Sequence, residues 1–134
     1  RHGRPMSLIL FDIDGFKEIN EQFGQLSGDH VLKFIADKLN RRIRREELFA
    51  RYRADEFVVA LPETDLDDAL KFADIIRESV EIMPIAFDGW KIPVSISIGV
   101  GRFDHKITEP SELLQNAHEA LNRAKSKGRN QVSS

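Results

Sequence analysis

Cysteine is absent from the 134-residue sequence, and no apolar run in it approaches the roughly 20 residues that a membrane-spanning helix needs. The lack of cysteine excludes a disulfide framework and a cysteine zinc site, and it fits a reducing compartment. The lack of a long apolar run gives no reason to expect membrane contact by this chain. An excess of positive charge is also missing, because 20 Lys and Arg residues stand against 22 Asp and Glu residues. With a net charge of −2, nucleic acid is not an expected partner.

The composition that remains is that of a globular protein, with 41% hydrophobic and 31% charged residues. A chain of this length can build one hydrophobic core, and no repeat, low-complexity stretch or linker divides it. We therefore expect one domain over residues 1–134. Because the first residue is Arg1 rather than Met, we also expect the domain to be part of a longer protein with sensor or output domains outside this chain.

The order of apolar runs and amphipathic stretches predicts an α/β domain of the α+β type, with helices flanking a mainly antiparallel central sheet. Hairpin turns are predicted at 53–54 and 88–89, and a loop at 24–28. The predicted strands are 6–11, 48–52, 57–61, 82–87 and 91–100. The predicted helices are 16–23, 29–42, 66–80 and 109–127, the third of them capped by Asp65 and the fourth by Thr108. Gly128 is predicted to stop the fourth helix.

Acidic residues stand at two places where the predicted strands end. Asp12 and Asp14 follow the first strand, and Asp55 and Glu56 lie in the turn of the first hairpin. Carboxylate oxygens are ligands that Mg²⁺ prefers, commonly one or two of them together with substrate phosphates. Such a site would serve phosphoryl or nucleotidyl transfer. On spacing alone, however, solvated loop carboxylates are the more common case.

Five sequence segments favour a metal site over solvated loop carboxylates, because they occur together and in one order. They are 11–20 (FDIDGFKEIN), 24–29 (GQLSGD), 51–57 (RYRADEF), 97–100 (SIGV) and 124–130 (AKSKGRN). Together they resemble the GGDEF family of diguanylate cyclases, which join two GTP molecules into cyclic di-GMP, and the resemblance runs over about residues 5–132. It implies a palm-like fold shared with nucleotide cyclases and a location in the bacterial cytoplasm.

The resemblance also implies roles for individual residues. Asp55 and Glu56 match catalytic positions, and Glu56 matches the acid that helps to activate the attacking ribose hydroxyl. The metal ligands it implies, for Mg²⁺ bound with GTP, are Asp12, Asp55 and the backbone carbonyl of Ile13. The guanine-reading residues it implies are Asn20 and Asp29. The phosphate contacts it implies are the backbone N–H groups of Gly15 and Phe16 and the side chains of Lys17, Lys125 and Arg129.

Several of these residues have a structural alternative. Asn20 would equally hydrogen-bond its own loop, and Asp29 would cap the helix that follows it. Lys125 and Arg129 would equally be solvated charges at a helix end.

The signature itself departs from the family, which has two glycines where this chain has Arg53 and Ala54. Glycine serves where the backbone needs a positive φ or lies against a ligand. Arg53 places a long side chain where the family leaves room for substrate, and a misplacement of about 1 Å can cost about a hundredfold in rate. We therefore predict that cyclase activity is absent or feeble. Because guanidinium pairs well with phosphate, a role for Arg53 in holding nucleotide stays open.

A second site is implied by Arg44 and Glu47, which match an inhibitory product-binding motif of the family, Arg-x-x-Asp, with Glu in place of Asp. The family often adds an arginine where this chain has Ile75. We predict a degenerate domain that binds cyclic di-GMP through Arg44 and Glu47 as a receptor. The alternatives are an active cyclase, a GTP-binding regulatory domain without turnover, and a dimerisation module. A solvated helix end is the plain reading of the 41–45 arginine run.

Overall fold

The fold is taken from a computed structural model, which describes residues 6–43, 48–51, 53, 55–102 and 109–134. Its elements in chain order are β1 (Met6–Ile13), α1 (Phe16–Phe23), α2 (Gln25–Arg42), β2 (Leu48–Arg51), β3 (Glu56–Pro62), α3 (Leu66–Glu81), β4 (Ala86–Phe87), β5 (Trp90–Lys91), β6 (Ile96–Arg102), α4 (Pro110–Ser126) and β7 (Val132–Ser133).

The main sheet of the described residues has the strand order β2-β3-β1-β6-β7, and β4 and β5 form a separate hairpin. Only the pairing of β6 with β7 is parallel, so the predicted mainly antiparallel sheet is confirmed. Strand β1 is central, and Ile9, Leu10 and Phe11 in it are fully buried. Burial on both faces explains why the sequence of β1 is a continuous apolar run rather than an alternating one.

Helices cover both faces of this sheet because successive side chains of β1 point in opposite directions. Ile9 and Phe11 belong to the larger core, with buried residues from α2 and α3. Leu10 belongs to a smaller cluster on the other face, with Ala117 and Leu121 of α4. Helix α4 thus packs across β6 and β1, and its C-terminal end lies at the same edge of the sheet as the end of β1.

Two predicted helix boundaries are confirmed by their capping groups. Asp65 caps α3, since its side chain accepts a hydrogen bond from the backbone N–H of Asp68 at 2.9 Å. Helix α4 ends at Ser126, two residues before Gly128. The predicted cap Thr108 lies outside the described residues. Within the part of the chain that is described, no helix has the length and apolar character required to cross a membrane.

The predicted loop at 24–28 is wrong, because α2 begins at Gln25. Gly24 alone separates α1 from α2, with a φ of 97° that residues with a side chain rarely adopt. Ser27 fixes the first turn of α2 by donating its backbone N–H and its hydroxyl to the Gly24 carbonyl. Asp29 therefore lies inside the helix, and the alternative of Asp29 as its cap is wrong as well.

The second predicted hairpin, of strands 82–87 and 91–100, is also only partly correct. Its turn at Asp88 and Gly89 is confirmed, but the hairpin consists of β4 and β5 with two residues each. Strand β6 is separate and pairs with β1 in the main sheet. Strand β7, beside β6, was not predicted.

Candidate functional site

The end of β1 and the turn between β2 and β3 bring the acidic residues together. Asp12 is paired with Glu56 in the β1–β3 register, and the backbone N–H of Ile13 donates to the Asp55 carbonyl at 3.3 Å. A shallow pocket of about 200 Å³ opens here. Its lining residues are Asp12, Ile13, Asp14, Gly15, Phe16, Lys17, Glu18, Asp55, Lys125 and Arg129. The structure thus gathers the predicted metal ligands and phosphate contacts at one place.

Asp12 is the buried charge of this pocket, with 5% of its surface exposed. Its Oδ2 lies 2.5 Å from Lys125 Nζ, whereas its Oδ1 has no hydrogen-bond partner among the described residues. Burial, aided by the charges of Asp55 and Glu56, raises the pKa of Asp12 to about 6 against the opposing effect of Lys125. A carboxylate with an unmet acceptor oxygen, crowded by two other acids, is suited to a bound cation.

The donor set fits Mg²⁺ in company with phosphates. No group of three or more His, Cys, Asp or Glu side chains suited to a metal occurs in the described part of the chain, so a closed protein cage is not formed there. Mg²⁺ is usually held by one or two carboxylates, with substrate phosphates and water completing its coordination. Asp12, Asp55 and the carbonyl of Ile13 would supply that minimal set.

Asp14 differs from Asp12 although it is only two residues away. Its carboxylate accepts hydrogen bonds from Ser95 Oγ at 2.7 Å, Ser97 Oγ at 2.6 Å and the backbone N–H of Asn130 at 3.0 Å. These bonds join the end of β1 to the start of β6 and to the turn after α4. The Asp14 carboxylate thus has a structural role. The sequence did not reveal that Ser95, Ser97 and Asn130 are its hydrogen-bond donors.

The start of α1 forms one wall of the pocket, where the sequence analysis expects phosphate contacts. Gly15 has a φ of 64°, a left-handed conformation that costs a residue with a side chain about 1–2 kcal/mol. Helix α1 begins at Phe16, and the N–H groups of a first helical turn have no partner within the helix. Lys17 is exposed at the same pocket, as is Arg129, while Glu18 contributes an opposing negative charge.

Asn20 lies where α1 packs on α2. A Cβ atom added at Gly28 would lie 1.9 Å from Asn20 Oδ1, so the absence of a side chain at Gly28 makes room for this amide. Asn20 Oδ1 is buried without a hydrogen-bond partner among the described residues, so the alternative of an oxygen bonded to its own loop is not what the structure shows. Asp29 follows Gly28 and is exposed, and it lines a neighbouring pocket of about 390 Å³ with Leu32 and Phe57.

Glu56 and Arg53 face each other in the turn of the signature. The backbone N–H of Arg53 donates to the Glu56 carbonyl at 3.2 Å, which closes the turn. Arg53 Nε lies 3.8 Å from Glu56 Oε1, an oxygen that is buried and makes no hydrogen bond among the described residues. The cation that replaces the first signature glycine therefore lies beside the predicted activating acid. Ala54 lies outside the described residues.

The predicted second site is largely beyond the described residues. Arg44 and Glu47 both fall there, so their roles stay predictions. Ile75, at the position of the family's additional arginine, is 43% exposed on α3.

The chain matches the family model described as "Diguanylate cyclase, GGDEF domain" over residues 1–131. Diguanylate cyclase A of Treponema denticola is 39% identical over 127 residues, which are 95% of this chain and 34% of that protein. Response regulator PleD of Caulobacter vibrioides is 42% identical over 132 residues, which are 97% of this chain and 29% of that protein. The chain thus spans about a third or less of the length of these curated relatives.

Solved structures agree with this match. The active GGEEF domain of a diguanylate cyclase from Vibrio cholerae has a TM-score of 0.88 and 31% identity, over 97% of this chain and 82% of that one. The GGDEF domain of DgcB from Caulobacter crescentus, in complex with c-di-GMP, has a TM-score of 0.92 and 25% identity, over 98% and 78%. Diguanylate cyclase SiaD from Pseudomonas aeruginosa, in complex with its activator SiaC, has a TM-score of 0.91 and 33% identity, over 98% and 50%.

Proposed function

Because this chain belongs to the GGDEF domain family of diguanylate cyclases, we propose that it acts in cyclic di-GMP signalling as a regulatory domain with little or no turnover. It binds a guanine nucleotide with Mg²⁺ at the pocket beside Asp12, and it binds cyclic di-GMP through Arg44 and Glu47. The observation that carries the first part is the unmet Oδ1 of buried Asp12, in a pocket that also presents Lys125 and the start of α1.

Nucleotide binding follows from the distribution of charge in that pocket. The N–H groups of Gly15 and Phe16 and the cations Lys17, Lys125 and Arg129 hold phosphate oxygens. Asp12, Asp55 and the Ile13 carbonyl hold Mg²⁺, which supplies charge neutralisation at the phosphates when bound. Lys125, now paired with Asp12, is near enough to turn to a phosphate once a cation compensates the carboxylate.

Guanine recognition is assigned to Asn20 and Asp29. The amide of Asn20 both donates and accepts, and the carboxylate of Asp29 accepts from the two N–H groups on the edge of guanine. The buried, unmet Oδ1 of Asn20 supports this assignment, because a buried acceptor without a partner is costly unless a ligand satisfies it.

Weak turnover follows from the place of Arg53. A general base must come within hydrogen-bond reach of the hydroxyl that it deprotonates. Arg53 Nε lies 3.8 Å from the Glu56 oxygen that would do this, so its side chain would hinder a ribose hydroxyl that approaches this oxygen. The name of the active Vibrio cholerae domain, GGEEF, retains the two glycines that Arg53 and Ala54 replace.

An active cyclase is the rival function, and a specific observation favours it. Asp12, Asp55 and Glu56 are all present and adjacent, with Lys125 beside them. If Arg53 turned outward onto a phosphate, this set would be complete. Turnover separates the two functions, since the regulatory domain binds GTP without consuming it.

Cyclic di-GMP binding draws its support from the Arg44-x-x-Glu47 sequence and from the DgcB domain, whose structure contains c-di-GMP. Because the chain spans only part of its relatives, we also propose attached sensor or output domains. We further propose a homodimer, because a family that joins two GTP molecules needs two nucleotide sites that face each other.

Calorimetric titration with a non-hydrolysable GTP analogue and Mg²⁺ tests the binding function. We expect micromolar affinity, about −8 kcal/mol, that falls about tenfold in Asn20→Ala. Asn116→Ala removes an exposed asparagine from α4 and should leave the affinity unchanged. Absence of binding by the parent protein would reject the proposal, and sustained formation of cyclic di-GMP from GTP would reject its claim of weak turnover.

A further inference from the structure

Asn130 lies next to Arg129 in the turn after α4 and is held by three hydrogen bonds. Its backbone N–H donates to Asp14 Oδ2 at 3.0 Å. Its side-chain Nδ2 donates to Glu81 Oε2 at 2.7 Å, and its Oδ1 accepts from Arg77 Nη1 at 3.1 Å. Because arginine only donates and a carboxylate only accepts, these two partners fix the orientation of the amide. Asn130 is thus tied to α3 on one side and to β1 on the other.

The backbone of this turn has an unusual conformation. Arg129 has a φ of 65° and Asn130 a φ of 48°, two consecutive left-handed residues that carry side chains. Such conformations persist where the surrounding structure over-determines them. Here the conformation is held by the hydrogen bonds to Asn130 and by the Arg129 N–H, which donates to the Ala124 carbonyl at 3.1 Å. Gln131 Nε2 adds a bond to the Arg129 carbonyl at 3.1 Å.

The other end of this arrangement is equally fixed. Asp14 receives the hydroxyls of Ser95 and Ser97 as well as the N–H of Asn130, so its carboxylate cannot move with the turn. It directly precedes Gly15, the residue that caps the start of α1. The Asp14 carboxylate therefore fixes the position of the turn that carries Arg129 relative to the start of α1, which forms the opposite wall of the pocket.

We propose that Asp14 and Asn130 form a clamp that positions Arg129 for the phosphates of the bound nucleotide, with Asn130 as a positioning residue that does not touch the ligand. This inference rests on the proposed function, in which the pocket binds nucleotide phosphates. A guanidinium gains most from phosphate when its fork is presented in one orientation, which an unrestrained turn would not provide. A displacement of about 1 Å at such a contact can cost up to about a hundredfold.

The test is a double-mutant cycle between Asn130→Gly and Arg129→Ala, read as affinity for a non-hydrolysable GTP analogue with Mg²⁺. Glycine accepts the left-handed conformation of residue 130, so Asn130→Gly removes the side-chain bonds without straining the backbone. We expect Asn130→Gly to weaken binding about tenfold in the parent protein and less than about twofold in the Arg129→Ala background. Ser126→Gly, at the exposed end of α4, is the matched control and should not couple to Arg129.

Equal weakening in both backgrounds, or no weakening in either, would overturn the clamp while leaving nucleotide binding intact. Failure of the parent protein to bind the analogue would instead reject the proposed function and this inference with it. Arg77→Met serves as a second variant, because it removes the hydrogen-bond donor to Asn130 from α3 and leaves the pocket residues in place. It should weaken analogue binding about threefold, again only when Arg129 is present.

Discussion

Arg53 Nε lies 3.8 Å from Oε1 of Glu56 across the turn between β2 and β3, and the two side chains are 65% and 12% exposed. An ion pair with so exposed a partner contributes roughly 0–1 kcal/mol to stability, so the fold does not depend on it. Its proposed consequence is chemical, because the guanidinium lies beside a Glu56 oxygen that is buried and makes no hydrogen bond among the described residues. In the proposed function, Arg53 separates nucleotide binding from turnover.

Restoring both glycines, as Arg53→Gly with Ala54→Gly, is expected to raise cyclic di-GMP synthesis about a hundredfold, since the approach to Glu56 is cleared. The rate should be measured from GTP and Mg²⁺ over a range of protein concentrations, because two nucleotide sites must meet. Arg53→Lys keeps the charge and most of the length, and it should stay as slow as the parent. A double-glycine variant that binds GTP and remains inactive would contradict this role of Arg53.

Asp12 is expected to lower stability at neutral pH when no metal is bound. Its pKa is raised from 3.8 to about 6 on folding, so the folded state takes up a proton in this range. The stabilising contribution of the protonated carboxyl is complete below about pH 4 and is lost as the pH rises through about 6. The shift corresponds to a loss of at most about 3 kcal/mol above pH 7.

Asp12→Asn should therefore be more stable than the parent by about 1–3 kcal/mol at pH 7.5 in the presence of a chelator, and equally stable near pH 4. Urea unfolding at several pH values measures this difference. The same substitution should abolish Mg²⁺-dependent binding of the GTP analogue. Asp37→Asn, at an exposed carboxylate on α2, serves as the control. A variant less stable than the parent at pH 7.5 would show that Asp12 is needed mainly for its contact with Lys125.

The fold could be predicted from the sequence wherever apolar patterns are long. The continuous run of β1 indicated a central strand, and Asp65 indicated where α3 begins. The break before β6 was missed because Ile92 and Val94 continue the alternation of that strand while they turn into the core outside the sheet. Strand β7 has two residues, too few for any pattern to indicate it.

The candidate site shows a different limit. Asp12 and Asp14 look equivalent in sequence, since both follow the same apolar run. Their difference depends on partners far along the chain, because Asp14 binds Ser95 across 81 positions and Asn130 across 116. Local spacing carries no information about such partners, so the structural role of Asp14 could not be predicted from the motif.

Binding of cyclic di-GMP is expected to depend on Arg44. A guanidinium can grip phosphate through two hydrogen bonds and stack on guanine, neither of which alanine provides. We expect Arg44→Ala to weaken binding about tenfold or more in a calorimetric titration of nucleotide-free protein. Arg45→Ala removes the same charge from the next position and should have an effect below about threefold. Similar losses in both variants would indicate general attraction to a basic segment rather than a site.

Gly28→Ala is expected to change guanine recognition without unfolding the domain. A Cβ atom at this position would lie 1.9 Å from Asn20 Oδ1 and 2.8 Å from Asn20 Cγ, so the amide must leave its place. The displaced atoms are the end of a side chain, which can turn away at modest cost. Alanine also favours the helix over glycine by about 1 kcal/mol, which offsets part of that cost.

The free energy of unfolding of Gly28→Ala should thus stay within about 1 kcal/mol of the parent, while the preference for GTP over ATP falls about tenfold. Asn20→Ala should give the same loss of preference, and combining the two should add nothing, because both remove one amide from one place. Parallel titrations with the GTP and ATP analogues measure these ratios. If Gly28→Ala kept the parental preference while Asn20→Ala lost it, the amide would reach guanine from a position that does not need Gly28.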